Sequence, residues 1–207
     1  MLFRSSGVSY KWILGVLAVL FPLGAVFVYM LQYEMIPFLR GYQATRILAW
    51  INPKEYSAAY WQQENSIMAI GSGQLWGKGL NNTEIASVKN GNFLSEEQTD
   101  FIFAIIGEEM GFVGAMIVIA LFLLLVYECL MMAYRAKDLS GRLICTGMAT
   151  LLAFQSFANI AVATAIFPNT GLPLPFVSYG VSSLLSLYIG IGVVLNVGLQ
   201  RRYSNEW

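Results

Sequence analysis

Histidine is absent from this 207-residue chain, and cysteine occurs only twice. Without an imidazole, Ser-His-Asp and Cys-His catalysis and the common zinc sites are excluded. Charge is scarce as well. Lys, Arg, Asp and Glu make up 12% of the residues, against roughly 25% in an ordinary soluble domain, and they sum to zero net charge. There is therefore no basic field to attract nucleic acid and no acidic tail to act as a solvating segment. What remains for chemistry is carboxylates, amines, guanidinium groups and hydroxyls.

Apolar residues fill the space, at 57% of the chain. A membrane-spanning helix needs about 20 mostly apolar residues. Four stretches meet that length: Trp12–Leu31, Phe112–Tyr134, Leu143–Phe167 and Tyr179–Leu199. The fold class expected is an all-α polytopic membrane protein, a single domain over 1–207 with a long structured extracellular loop, 32–111, between its first and second spans. The first stretch lacks the small-residue cleavage pattern of a leader and carries Pro22 in mid-span, which membrane helices tolerate. It is expected to stay as a helix.

Short basic loops orient the chain. Arg4 and Lys11 precede the first span, Arg135, Lys137 and Arg142 separate the second from the third, and Arg201 and Arg202 follow the fourth. With four crossings all three clusters fall on one side, which the positive-inside rule makes cytoplasmic. Both termini then lie in the cytoplasm, and Cys129 and Cys145 sit near cytoplasmic helix ends, so no disulfide framework and no nucleophilic thiol is expected outside.

The outer segment carries Trp50, Trp61 and Trp76 and is too apolar for a disordered linker. "PFLRGYQATRILAWINP" has the pattern of an interfacial helix stopped at Asn52-Pro53, with Arg40 and Arg46 on its polar side. "AIGSGQLWGKGL" is glycine-rich but is not a Walker loop, because Ser72 breaks the spacing and Gly79, not Ser or Thr, follows Lys78.

"SEEQTDFIFAIIGEEMG" brings five carboxylates to the edge of the second span. Ser95 to Gln98 fits a capping box, which accounts for Glu96 and Glu97 as first-turn acids. At about 100° per residue, Asp100, Ala104, Gly107, Gly111 and Ala115 would share one helical stripe, so Asp100 would point into a close contact and not out to water. Glu108 and Glu109 would face water, a cavity or a partner, since a charge facing lipid is costly. Glu128 snorkels to the cytoplasmic surface. Gln155 with Asn159, and Tyr179 with Ser182, Ser183 and Ser186, form polar stripes that read either as interhelical glue or as the lining of a polar cavity. Pro168, Pro173 and Pro175 forbid a regular helix between the last two spans.

"RILAWINP", "SIMAIGSGQLWGKGL", "EEQTDFIFAIIGEEMGFVG" and "GLPLPFVSYGVSS", in that order, resemble the SEDS family (shape, elongation, division and sporulation), which includes RodA, FtsW and SpoVE. The likeness runs along essentially the whole chain and corresponds to the C-terminal portion of the family's longer bundle. Val181 stands where the family usually has the second glycine of "SYGGSS", and Thr170 stands where FtsW proteins often have lysine; the latter difference leans the resemblance towards RodA-like members.

The resemblance implies a peptidoglycan glycosyltransferase that polymerises undecaprenyl-linked lipid II outside the bacterial cytoplasmic membrane, working with a class B penicillin-binding protein. Asp100 matches the family's essential outer-loop aspartate and is the expected general base, or a ligand of a divalent cation such as Mg or Mn. Lys78 and Arg46 are the expected neutralisers of the leaving pyrophosphate. Thr99, Glu108, Ser178, Ser182 and Ser183 complete the expected substrate-binding set. Two other readings stand beside this one: a transporter of lipid-linked precursors, which would use the polar stripes, and a truncated inactive scaffold that binds a penicillin-binding protein.

Overall fold

The computed structural model describes residues 10–32, 42–80 and 99–203. Among the described residues there is no β-strand, and the helices are α1 (Tyr10–Gln32), α2 (Tyr42–Ile51), α3 (Ser57–Ser72), α4 (Ile102–Arg135), α5 (Leu139–Ala163) and α6 (Val181–Tyr203). The chain divides into two compact units, Met1–Tyr60 and Trp61–Trp207.

In the first unit, α1 contains Pro22 and exposes Val19, Phe21 and Leu23. It covers the expected first span as helix. The amphipathic α2 buries Ala44 and Ala49 and ends where expected. Pro53 brings no N–H to extend the helix, and the chain turns through bonds from the Glu55 and Tyr56 amides to the Asn52 carbonyl. Residues 37–41 of the expected interfacial helix lie outside the described residues, as do Ser95–Gln98 of the expected capping box.

The second unit contains three helices long and apolar enough to cross a membrane: Ile102–Arg135, Leu139–Ala163 and Val181–Leu199. They pack through small residues. Cys129 and Ala133 of α4, Cys145, Ala149 and Leu152 of α5, and Leu187 and Val194 of α6 form one buried cluster. Small side chains suit membrane helices because close backbone approach supplies dispersion contacts where lipid offers no hydrophobic drive. The outward faces are rich in exposed Leu, Ile, Val and Phe, as lipid contact requires.

Two sequence expectations are corrected. The third span ends at Ala163 and not at Phe167: Ala165 turns left-handed (φ 55), its N–H bonds to the Val162 carbonyl, and the Ile166 N–H bonds to the Ala161 carbonyl. This is a Schellman termination with alanine where glycine is usual. Nor does one continuous stripe run from Asp100 to Ala115. Asp100 lies in a turn before α4, and α4 is broken at Gly111 (φ 67, ψ −166), a backbone conformation open essentially to glycine alone.

The break divides α4 into a short first piece up to Met110 and a longer piece from Phe112, the residue at which the second span was expected to begin. The 34 residues of α4 would extend roughly 51 Å if straight, well beyond a hydrocarbon core of about 30 Å. The piece after Gly111 is long enough to cross by itself.

Candidate active site

The break in α4 is filled by the glycine-rich turn that follows α3. In an unbroken helix, Phe112 N–H would bond to the Glu108 carbonyl and Val113 N–H to the Glu109 carbonyl. Instead the Phe112 and Val113 amides donate to the Gln74 and Leu75 carbonyls at 2.8 and 3.2 Å, while the Lys78 and Gly79 amides donate to the Glu108 and Glu109 carbonyls at 2.9 and 3.0 Å. Four backbone groups freed by the break are thus satisfied, which is what a break near a membrane must achieve.

Glycine is required on both sides of this joint. A Cβ at Gly77 would lie 2.1 Å from the Glu109 carbonyl oxygen, and one at Gly73 would lie 1.9 Å from that of Gly107. The same joint delivers Lys78 to Glu108. Its Nζ lies 2.8 Å from Glu108 Oε1, with the glutamate side chain 1% exposed and the lysine side chain 22%. Glu108 therefore faces a partner, as expected of a carboxylate at this depth, and the partner is the cation predicted to act on pyrophosphate.

A second anchoring layer lies at the C-terminal end of α5. The polar face of α3 caps it: Gln63 Nε2 donates to the Val162 carbonyl and to that of Phe167 just beyond the helix, and Ser66 Oγ donates to the Ala163 carbonyl at 2.7 Å. These two buried residues were missed in the sequence. Their signal was a polar pair at i, i+3 inside "WQQENSIMAI", the spacing that puts both side chains on one helical face.

Asp100 sits on top of this layer, half-buried, in the turn leading into α4. The next residue, Phe101, is fully buried with Ala69, Ala104 and Val162. Asn159 Nδ2 donates to the Asp100 carbonyl at 2.9 Å and to the Leu172 carbonyl at 2.7 Å. Ser178 Oγ donates to the Thr99 carbonyl at 2.6 Å and accepts the Leu174 N–H at 2.7 Å. The proline-bearing segment between α5 and α6 is thereby tied to the Asp100 turn.

The remaining candidates are distributed differently. Thr99 contributes its carbonyl to the Ser178 bond. Ser178 itself is 2% exposed, with its hydroxyl committed to backbone on both sides and not open to a ligand. Ser183 Oγ turns back to the Gly180 carbonyl and Ser186 Oγ to that of Ser183, so these hydroxyls serve their own helix start, while Ser182 is exposed. Arg46 lies half-buried on α2, in the first unit. Among the described residues no three His, Cys, Asp or Glu side chains gather to hold a metal ion.

The sequence profile of the cell cycle protein family of FtsW, RodA and SpoVE matches residues 1–203. The chain belongs to that family. Within the FtsW/RodA/SpoVE family it is 36% identical over 199 residues to a probable peptidoglycan glycosyltransferase FtsW of Geobacter metallireducens, an alignment that covers 96% of this chain and 50% of that protein. It is 38% identical over 204 residues to the peptidoglycan glycosyltransferase MrdB of Escherichia coli, covering 97% of this chain and 52% of the relative. Among solved structures it resembles a chain from a study of polymerization and crosslinking by a peptidoglycan synthase complex, at TM-score 0.64 and 29% identity, covering 90% of this chain and 49% of that one. The chain therefore spans about half the length of the relatives it matches. Membership of the FtsW/RodA/SpoVE family agrees with the all-helical fold and with the resemblance read from the four sequence motifs.

Proposed function

We propose that this chain carries the catalytic aspartate of a peptidoglycan glycosyltransferase that polymerises glycan strands from lipid II at the outer face of the cytoplasmic membrane. The observation that carries the reading is the placement of Asp100. It is the acid of a turn fixed between a buried phenylalanine and two buried polar side chains, just before the helix that leads into a membrane span. Support also comes from relatives that bear the name peptidoglycan glycosyltransferase.

In the proposed reaction the hydroxyl of the acceptor sugar attacks the anomeric carbon of the donor. Its proton passes to the Asp100 carboxylate, the new C–O bond forms, and the lipid pyrophosphate leaves with the electron pair of the broken bond. General-base help of this kind contributes about 10²–10⁴ in rate. The proton transfer needs only the carboxylate. Lys78 and Arg46 are proposed to offset charge on the leaving pyrophosphate, Lys78 with its field reduced by Glu108.

The proposed topology has four crossings, α1 among them, with both termini cytoplasmic and the 32–111 segment outside. The proposed protein partner is a class B penicillin-binding protein, a choice supported by the likeness to a chain of a peptidoglycan synthase complex.

The test is glycan-chain formation from purified lipid II by the full-length protein with its partner. Asp100→Asn preserves size and removes the proton acceptor, so polymerisation is expected to fall by about 10² or more at unchanged membrane abundance. A fully active Asp100→Asn protein would remove Asp100 from the chemistry. Activity lost in lipid II flipping but kept in polymerisation would favour the transporter reading.

A further inference from the structure

Asp100 has a peptide plane on each side of its Cα, one carrying the Thr99 carbonyl and the other its own. Both carbonyls are gripped by buried side chains from elsewhere in the fold: Ser178 holds the first at 2.6 Å and Asn159 the second at 2.9 Å. Fixing both planes fixes φ and ψ of Asp100, and with them the direction of its Cα–Cβ bond.

The grip is itself anchored. Ser178 and Asn159 are 2% and 1% exposed, and each makes a second bond to the Leu172–Leu174 stretch, which contains Pro173 and is followed by Pro175. The two carbonyls also fix the orientation of the Asn159 amide, because only its NH₂ end can donate to them. Its Oδ1 is buried with no bonding partner among the described residues, a cost accepted for placing the NH₂ between the two carbonyls.

We propose that Asn159 and Ser178 are positioning residues for the candidate base, acting through the backbone on either side of Asp100 and not by touching substrate. The proposal rests on the reading of Asp100 as the base. General-base catalysis demands a reacting geometry within hydrogen-bond reach, and a misplacement of about 1 Å costs on the order of 10²-fold in rate. A turn that could rock about its peptide planes would move the carboxylate by that much.

The experiment is lipid II polymerisation by the full-length protein in membranes, with kcat and KM measured for Asn159→Leu and Ser178→Ala, each in the wild-type and the Asp100→Asn background. Asn159→Leu keeps the branched outline at a larger volume and removes the donor; Ser178→Ala removes a single hydroxyl and stands in if the leucine variant does not fold. Each is expected to lower kcat about 10-fold or more with KM unchanged. In the Asp100→Asn background neither is expected to cost anything further, because the group being positioned is already gone. Equal losses in both backgrounds would mean a general effect on the fold and would overturn the proposal. A raised KM with kcat preserved would make the residues substrate ligands, and unchanged kinetics would leave the grip without a catalytic role. If Asp100→Asn alone is fully active, it is the reading of Asp100 that fails, a result separable from all the others.

Discussion

Lys78 and Glu108 depend on each other more than either depends on water. The glutamate is almost wholly enclosed and its carboxylate meets the lysine at 2.8 Å, so removing the lysine takes a cation away from a buried carboxylate. Lys78→Ala is expected to destabilise the protein by about 3 kcal/mol or more, read as a lower melting temperature in detergent, whereas Lys78→Met combined with Glu108→Leu recovers most of that loss. The double variant also separates two roles. If the pair serves only to hold the fold, the double variant polymerises lipid II; if either charge is needed at the substrate, the protein folds but stays inactive.

At the scale of elements, the decisive feature is the joint between the broken α4 and the glycine turn. The small-residue pattern around Gly111 suggested a helix packing against a neighbour, yet the atoms nearest a Gly111 Cβ are the Gly77 nitrogen at 2.3 Å and the Leu75 carbonyl group at 2.7 Å. Gly111→Ala would combine this overlap with a backbone conformation that costs a side-chain-bearing residue about 1–3 kcal/mol. It is expected to lower the melting temperature and to speed amide exchange at Lys78, Gly79, Phe112 and Val113, whose bonds span the joint. Gly147→Ala in α5 is the matched control: a Cβ there meets nothing within 4 Å, and alanine improves helix propensity, so stability should hold or rise slightly. Equal effects at the two glycines would show that the joint is not what Gly111 is for.

For the whole molecule, orientation is the property on which the site depends, because lipid II polymerisation is an outer-face reaction only if the 32–111 segment is outside. A cysteine placed at Asn90 is expected to react with a membrane-impermeant maleimide in intact cells, and one at Lys137 only after the cells are opened. The native thiols should add little background, since Cys129 and Cys145 are both buried. Labelling in the opposite pattern would put Asp100 on the cytoplasmic side and end the glycosyltransferase assignment.

Composition and pattern by themselves determined the all-helical membrane class, the approximate places of the three long spans and the end of α2, because each follows from local chemistry: apolar run length, scarcity of charge, and a proline that cannot donate. The helical pattern also drew attention to Asp100, and the cost of a charge facing lipid to Glu108, whereas Lys78 stood out only through the resemblance to the family. What composition and pattern could not supply was who meets whom. The stripe drawn through Asp100 assumed an unbroken helix, and nothing local in "EEMGFVG" announces that Gly111 will leave helical geometry. That outcome becomes favourable only when the Gln74–Gly79 turn arrives to take over the backbone bonds. Likewise Asn159 read as one of a pair of polar residues on a span. Its grip on the Asp100 carbonyl, across 59 positions of sequence, exists only because α5, the proline-bearing segment and the start of α4 converge at one end of the bundle. Hydrogen-bond partners distant in sequence are set by packing, and packing belongs to the tertiary structure alone.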